Sequence, residues 1–212
     1  LQSIAVLYNE SGFIKKYIET TDLILDLKKY LLGENSYAYQ TEYLSKLNLL
    51  SSIRPNDALI ELLNIIDSNV STDYFMLYTI TANTYNSLGD YDNAEKYIDI
   101  CFNSAVRPIQ KVLTNTIKAQ INAKKGDFQT AIKYQKEALS IAEKYIPVKQ
   151  KDISDDLALY YFGNKDYNNS FEILQKNINK EWNSYTDNLL LMSEYEREKY
   201  WIEYYDSYFD GY

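Results

Sequence analysis

Three acids, Asp152, Asp155 and Asp156, stand close enough in sequence to hold a divalent cation, and a single thiol, Cys101, could act as a nucleophile. A thiol nucleophile needs a base to activate it. The 212-residue chain has no histidine to supply one, which also removes histidine triads and histidine metal ligation. Cys101 falls on the inner face of an expected helix and reads as a small buried residue. With one cysteine there is no internal disulfide. The acids have a simpler explanation too. Ser154 reads as the N-cap of a helix, and acids in a first turn are favoured by the helix dipole. The remaining carboxylates are scattered and do not converge as a hydrolytic pair would. The six glycines are isolated, so no phosphate-cradling loop exists. The expectation is a chain without catalytic residues, cofactor or metal.

The elements that would position any site are marked by a recurring turn. Gly89-Asp90-Tyr91 with Ala94, Gly126-Asp127-Phe128 with Ala131, and Lys165-Asp166-Tyr167 with Ser170 share one form: small or polar, Asp, aromatic, then a small residue three further on. The aspartates are spaced 37 and then 39 residues apart. A period of this length signals a solenoid of stacked units, and it makes Asp90, Asp127 and Asp166 turn residues instead of a catalytic set. Between the turns lie helical patterns. Tyr74, Tyr78, Ala82 and Tyr85 fall on one helix face, with Ser71 or Thr72 available as a cap and Gly89 suited to a left-handed C-terminus. Ala94, Ile98 and Cys101 share one face of the helix that follows. Upstream the pattern stays in phase: Ala58 lies 36 residues before Ala94, after a helix carrying Tyr43, Leu47 and Leu50. Gly12-Phe13, with Lys16 at the small-residue place, ends a still earlier unit. Pro55, Pro108 and Pro147 all fall where turns are expected, as proline's missing N–H requires.

Tyr78, Ala82, Tyr85, Gly89, Tyr91, Ala94 and Cys101 resemble the tetratricopeptide repeat pattern, as do Ala119, Gly126, Phe128, Ala131 and Ala138 in the next unit. Leu157, Ala158, Tyr161, Tyr167 and Leu174 follow in a third, with Ser170 in place of the early alanine. The resemblance implies an all-α right-handed α-α superhelix of four to five helix pairs over residues 1–181. It also implies that first helices line a concave groove. By phase with the family, the groove positions are Thr79, Asn83 and Asn86, then Thr116, Gln120 and Lys124, then Asp155, Leu159 and Phe162. Asn83 and Gln120 share a phase, and amides there could hydrogen-bond the backbone of an extended peptide. The implied function is a non-catalytic protein-interaction scaffold. Lys124 is the only basic groove position and the third unit is acidic, so a basic partner segment is expected near Asp152, Asp155 and Asp156.

Residues 182–212 fall outside the period and are read as terminal capping helices. Ser193-Glu194-Tyr195-Glu196 has the form of a capping box. Trp201, Tyr204, Tyr205, Tyr208 and Tyr212 then form an aromatic stripe opposite Glu196, Glu203 and Asp206. The stripe reads as a cap on the solenoid, or as a docking surface for a partner or a further domain. The stretch from Met192 to Trp201 also resembles the segment that follows the repeats in bacterial proteins with a caspase-like CHAT protease domain. That likeness implies a regulatory repeat region whose effector domain lies elsewhere; a transcription-factor domain is the other such effector.

Composition bounds the partners. Net charge is −8, the wrong sign for nucleic-acid binding. No stretch approaches the ~20 apolar residues that span a bilayer. The chain opens at Leu1, so its start is expected upstream. A single cysteine and the lack of a signal segment favour the cytoplasm. The 23 tyrosines read as compositional bias and not as special chemistry.

Overall fold

The computed structural model describes residues 2–68, 72–191 and 193–196. These residues form helix pairs and contain no strand. The pairs are α1 (Gln2–Glu10) with α2 (Ile14–Leu32), α3 (Tyr37–Ile53) with α4 (Pro55–Ser68), α5 (Tyr74–Leu88) with α6 (Tyr91–Ser104), α7 (Pro108–Lys124) with α8 (Phe128–Tyr145), and α9 (Gln150–Gly163) with α10 (Tyr167–Leu191). A short 3-10 turn, Pro147–Lys149, leads into α9. The first helices α3, α5, α7 and α9 touch in succession; α2, α4, α6 and α8 each pack against the first helices on either side, and α10 packs against α9. The result is a helical-repeat solenoid.

The recurring turns work as the sequence pattern requires. Gly89 and Gly126 take left-handed φ of 80° and 85°, where glycine has no Cβ penalty. Asp90, Asp127 and Asp166 then cap the second helices, accepting hydrogen bonds from the N–H groups of Asn93 (3.2 Å), Thr130 (3.0 Å) and Asn169 (3.3 Å). In the third turn Lys165 holds φ 63° in place of glycine. The displaced glycine, Gly163, serves another purpose. A Cβ there would lie 2.4 Å from Cε1 of Phe128, so its absence lets that ring close over α9.

Two expected caps are corrected. Asp73, not Ser71 or Thr72, caps α5, accepting from Met76 N–H at 3.0 Å; the residue directly before the helix has the shortest reach to its first turn. Ser154 is not a cap at all. The turn at Pro147 feeds straight into α9, which starts at Gln150. Ser154 is therefore buried inside the helix, its hydroxyl donating to Asn177 Oδ1 of α10 at 3.1 Å. The three prolines stand at the first positions of α4, α7 and the 3-10 turn, where the missing N–H has no helical partner to lose.

The core is a chain of clusters. Leu44, Leu47, Leu62 and Leu77 join α3, α4 and α5. Ala82, Ala94, Ile98, Cys101 and Ile121 join α5, α6 and α7. Ala119, Ala131, Leu157 and Tyr161 join α7, α8 and α9. Each fully buried Leu or Ile contributes about 1.5–3 kcal/mol, and the fully buried alanines let the helices approach closely. Lysines fasten the seam between the third and fourth pairs. Lys118 of α7 pairs with Asp99 of α6 and lies over the rings of Phe102 and Tyr134, 4.8 and 5.1 Å from their centroids. Burial alone would lower the Lys118 pKa. The hydrogen bond and charge of Asp99 outweigh it and raise it instead.

The helix α10 continues unbroken through residue 181 to Leu191. The capping box after it is formed: Glu196 accepts from Ser193 N–H at 2.8 Å, and Ser193 Oγ accepts from Glu196 N–H at 3.3 Å. The Ser193 hydroxyl and then its N–H hold the Glu196 carboxyl below its usual pKa. Trp201, Tyr204, Tyr205, Tyr208 and Tyr212 lie outside the described residues.

Candidate functional site

The face lined by α5, α7 and α9 holds the expected groove positions, but it does not present them evenly. On α5, Thr79 is buried, with its hydroxyl donating to the Phe75 carbonyl at 2.7 Å. Asn86 is also buried, while Asn83 is half-buried. Thr79 and Asn86 are thus corrected from groove residues to packing residues. A threonine hydroxyl satisfied by its own helix can be buried at little cost, so the small polar side chains of α5 sink between neighbouring helices. Lys124 of α7 reaches across and donates to the Asn86 backbone carbonyl at 3.3 Å, closing this half of the face.

Between α7 and α9 the face opens into two clefts. One, of about 200 Å³, is walled by Ile109, Val112, Leu113 and Ile153, with Thr116, Lys149, Asp152 and Asp156 supplying polar atoms. The other, of about 300 Å³, lies between Gln120, Lys124, Phe128, Leu159 and Tyr160. Thr116, Gln120 and Lys124 therefore do line open space. Ile109, Leu113, Thr116 and Gln120 follow one another at helical spacing along α7. Ile109 and Leu113 were missed in the sequence because apolar residues at helical spacing read as core; both are exposed.

The acids divide between two neighbourhoods. Asp155 is turned toward α10, where it accepts from Asn177 Nδ2 at 2.7 Å and pairs with Lys151 at 3.4 Å. Asp156, one residue on, enters the cleft in its place. Its pKa is raised, first by burial and then by the charges of Asp152 and Asp155. Asp152 has a loose, exposed pairing with Lys149 at 3.7 Å, of the kind that contributes little. The Thr116 hydroxyl is buried without a hydrogen-bond partner. Leu159 and Phe162 are exposed, as their phase implied.

Cys101 lies beneath the closed half. Its sulfur sits 3.5 Å from Thr79 Oγ1 and 3.6 Å from the Phe75 carbonyl oxygen. Burial pushes the thiol pKa up, away from the thiolate that nucleophilic chemistry needs. Tyr74, Tyr78, Tyr97 and Tyr85 form a run of neighbouring rings with centroids 5.7–5.9 Å apart across α5 and α6, which is packing geometry. No three metal-ligating acids or cysteines gather among the described residues. No helix among them is long and apolar enough to cross a membrane.

The tetratricopeptide repeat family model matches residues 77–103 and 114–145, which span α5–α6 and α7–α8. Over these two helix pairs the chain is similar to tetratricopeptide repeats. The repeat solenoid also resembles two crystal structures of kinesin light chain nearly identical TPR-like repeats from Podosopora anserina. One of them, a glutamine-to-methionine variant, superposes with a TM-score of 0.66 at 12% identity, covering 87% of this chain and 94% of that one. The other gives 0.62 at 13% identity, covering 86% and 93%. At such identities the likeness is one of fold. No curated protein matches the chain.

Proposed function

We propose that this chain is a non-catalytic interaction scaffold that binds an extended segment of a partner protein across the α7–α9 half of its first-helix face. The two adjoining clefts carry this reading. Their walls are exposed Ile109, Leu113 and Leu159, suited to apolar side chains, while Gln120 offers an amide to a peptide backbone. Asp156 and Asp152 at one cleft call for a lysine or arginine. A long basic side chain can lay its hydrocarbon stem on Ile109 and Leu113 and set its charge at the carboxylates. Asn83 borders the face and Asp155 flanks it, each in a supporting position.

A randomised peptide array tests this. Preference for sequences pairing an apolar residue with Lys or Arg is expected, weakened by Asp156→Asn and separately by Leu159→Ala. Selection of acidic peptides, or binding indifferent to both variants, would sink the reading. A second reading makes these repeats the regulatory region of a protein with a caspase-like CHAT protease domain. The sequence from Met192 to Trp201 and the capping box at Ser193 support it. A reading frame encoding that domain next to the repeats is its test.

A further inference from the structure

The start of α9 separates two cavities of opposite character. Its α7 side carries Asp152 and Asp156 into one of the clefts described above. Its other side faces a cavity of about 260 Å³ between α8, the 3-10 turn, α9 and α10. Leu139, Pro147 and Ile173 give this cavity its apolar walls. The polar groups between them are already satisfied by one another. The buried Ser154 hydroxyl donates to Asn177 Oδ1 at 3.1 Å, and Asn177 Nδ2 donates to Asp155 at 2.7 Å. Three lysines, Lys151, Lys176 and Lys180, line the cavity against one acid, Glu143. Lys151 pairs with Asp155 at 3.4 Å. Gln150 stands between Glu143 and Lys180: its amide nitrogen donates to Glu143 at 3.3 Å, and its amide oxygen accepts from Lys180 at 2.7 Å. The Lys180 ammonium is thus held by a neutral group and not by a carboxylate. Lys176, one turn before it on α10, takes part in no ion pair among the described residues.

We propose that this cavity binds a small amphipathic carboxylate, its apolar body against Leu139, Pro147 and Ile173 and its charged head at Lys176 and Lys180. The volume sets the size of the occupant. At ~30 Å³ for each water-sized group it admits about nine of them, the body of a medium-chain acyl or single-ring aromatic acid. The walls set its chemistry. Because Ser154 and Asn177 are paired within the protein, a polar group at the inner end of the ligand would lose its water and find no partner. That end is therefore apolar. The head meets the opposite demand. An ammonium carries three N–H donors, and Lys180 gives one of them to Gln150. The rest, with those of Lys176 one turn away, converge on a single acceptor, and a carboxylate accepts charge-assisted hydrogen bonds from both. The chain as a whole carries a net charge of −8, so an anion is held here by these local cations and not by the general field. The cavity lies across α9 from the proposed peptide clefts, and the two readings stand or fall separately.

Octanoate is the probe, titrated below its micellar concentration into the full chain and followed in amide NMR spectra. Saturable binding is expected, with shift changes confined to residues 139–154 and 173–180. Octanol should bind the same residues several-fold more weakly, and octylamine should not bind. Lys176 and Lys180 are both exposed, so Lys176→Gln combined with Lys180→Gln should leave the fold intact. That variant should bring octanoate down to the level of octanol while octanol itself binds as before, a split that loss of structure would not give. Octanoate that fails to saturate, that the double variant binds as the parent does, or that octylamine matches would overturn the proposal. Shift changes centred on the α7–α9 clefts would overturn it equally. So would a short peptide with a free apolar C-terminal residue that binds here more tightly than octanoate, since it would give the cavity to protein chain ends.

Discussion

The two halves of the first-helix face are built on one repeat and differ in what they offer. Between α5 and α7, Thr79 and Asn86 are small and buried, the Thr79 hydroxyl is satisfied within its own helix, and Lys124 spans the remaining gap to Asn86. Between α7 and α9 the equivalent positions border clefts with apolar walls and an unneutralised acid. Repeat phase therefore names the face a residue points to, while the neighbouring helix decides whether that face is open. A partner that reads this solenoid meets one closed half and one open half.

The strongest way to break the contrast is to remove what lies under both halves. Ile121, fully buried between α6 and α7, should lose about 2–5 kcal/mol on Ile121→Ala, measured by urea denaturation, and the loss should abolish peptide capture. A change below ~1 kcal/mol would mean that α7 is held independently of α6. Next is Gly163→Ala, which sets a Cβ against Phe128 in the wall of the open half. It should destabilise by about 1–3 kcal/mol and weaken binding together with stability; unaltered stability would show that the ring has room to move.

Asp156→Asn sharpens the contrast by charge. The folded pKa of Asp156 is raised, so the folded state holds its proton more tightly than the unfolded one. The charged carboxylate thus opposes folding at neutral pH, and this opposition fades as pH falls through the raised pKa. The variant should melt higher than the parent at pH 7, with the gap closing in acid, while losing basic peptides. A gap that widened in acid would contradict the assigned shift. The smallest effect belongs to Lys124→Met. Stability should stay within about 0.5 kcal/mol, yet amide exchange in the last turn of α5 should quicken as the closed half loosens. Unchanged exchange would show that the lysine is not what closes it.

The turns were legible because their chemistry is local. Glycine's left-handed φ and an aspartate's reach to the third N–H do not depend on distant parts of the chain, so Asp90, Asp127 and Asp166 could be assigned from spacing alone. Cys101 and the repeat alanines were legible for a related reason: helical spacing places them on the inner face whatever the partner. The cap at Ser154 was misread because proline at position 147 can end a helix or begin one. Only the packed turn made it begin α9 five residues early. Thr79 and Asn86 were misplaced, and Ile109 and Leu113 overlooked, because exposure is set by how closely the adjacent first helix approaches.

By itself, then, the sequence determined the repeat, its turns, its helix pairs and the apolar seam that stacks them, since each follows from backbone preference and periodicity within some forty residues. The tertiary structure alone decided which stretch of the shared face stays open. It turned Asp155 to α10 and Asp156 to the cleft, adjacent residues that point about 100° apart on a helix. It also set Lys176 and Lys180 of α10 around one cavity with Leu139 of α8, because residues so far apart in sequence meet only once the helix pairs are stacked.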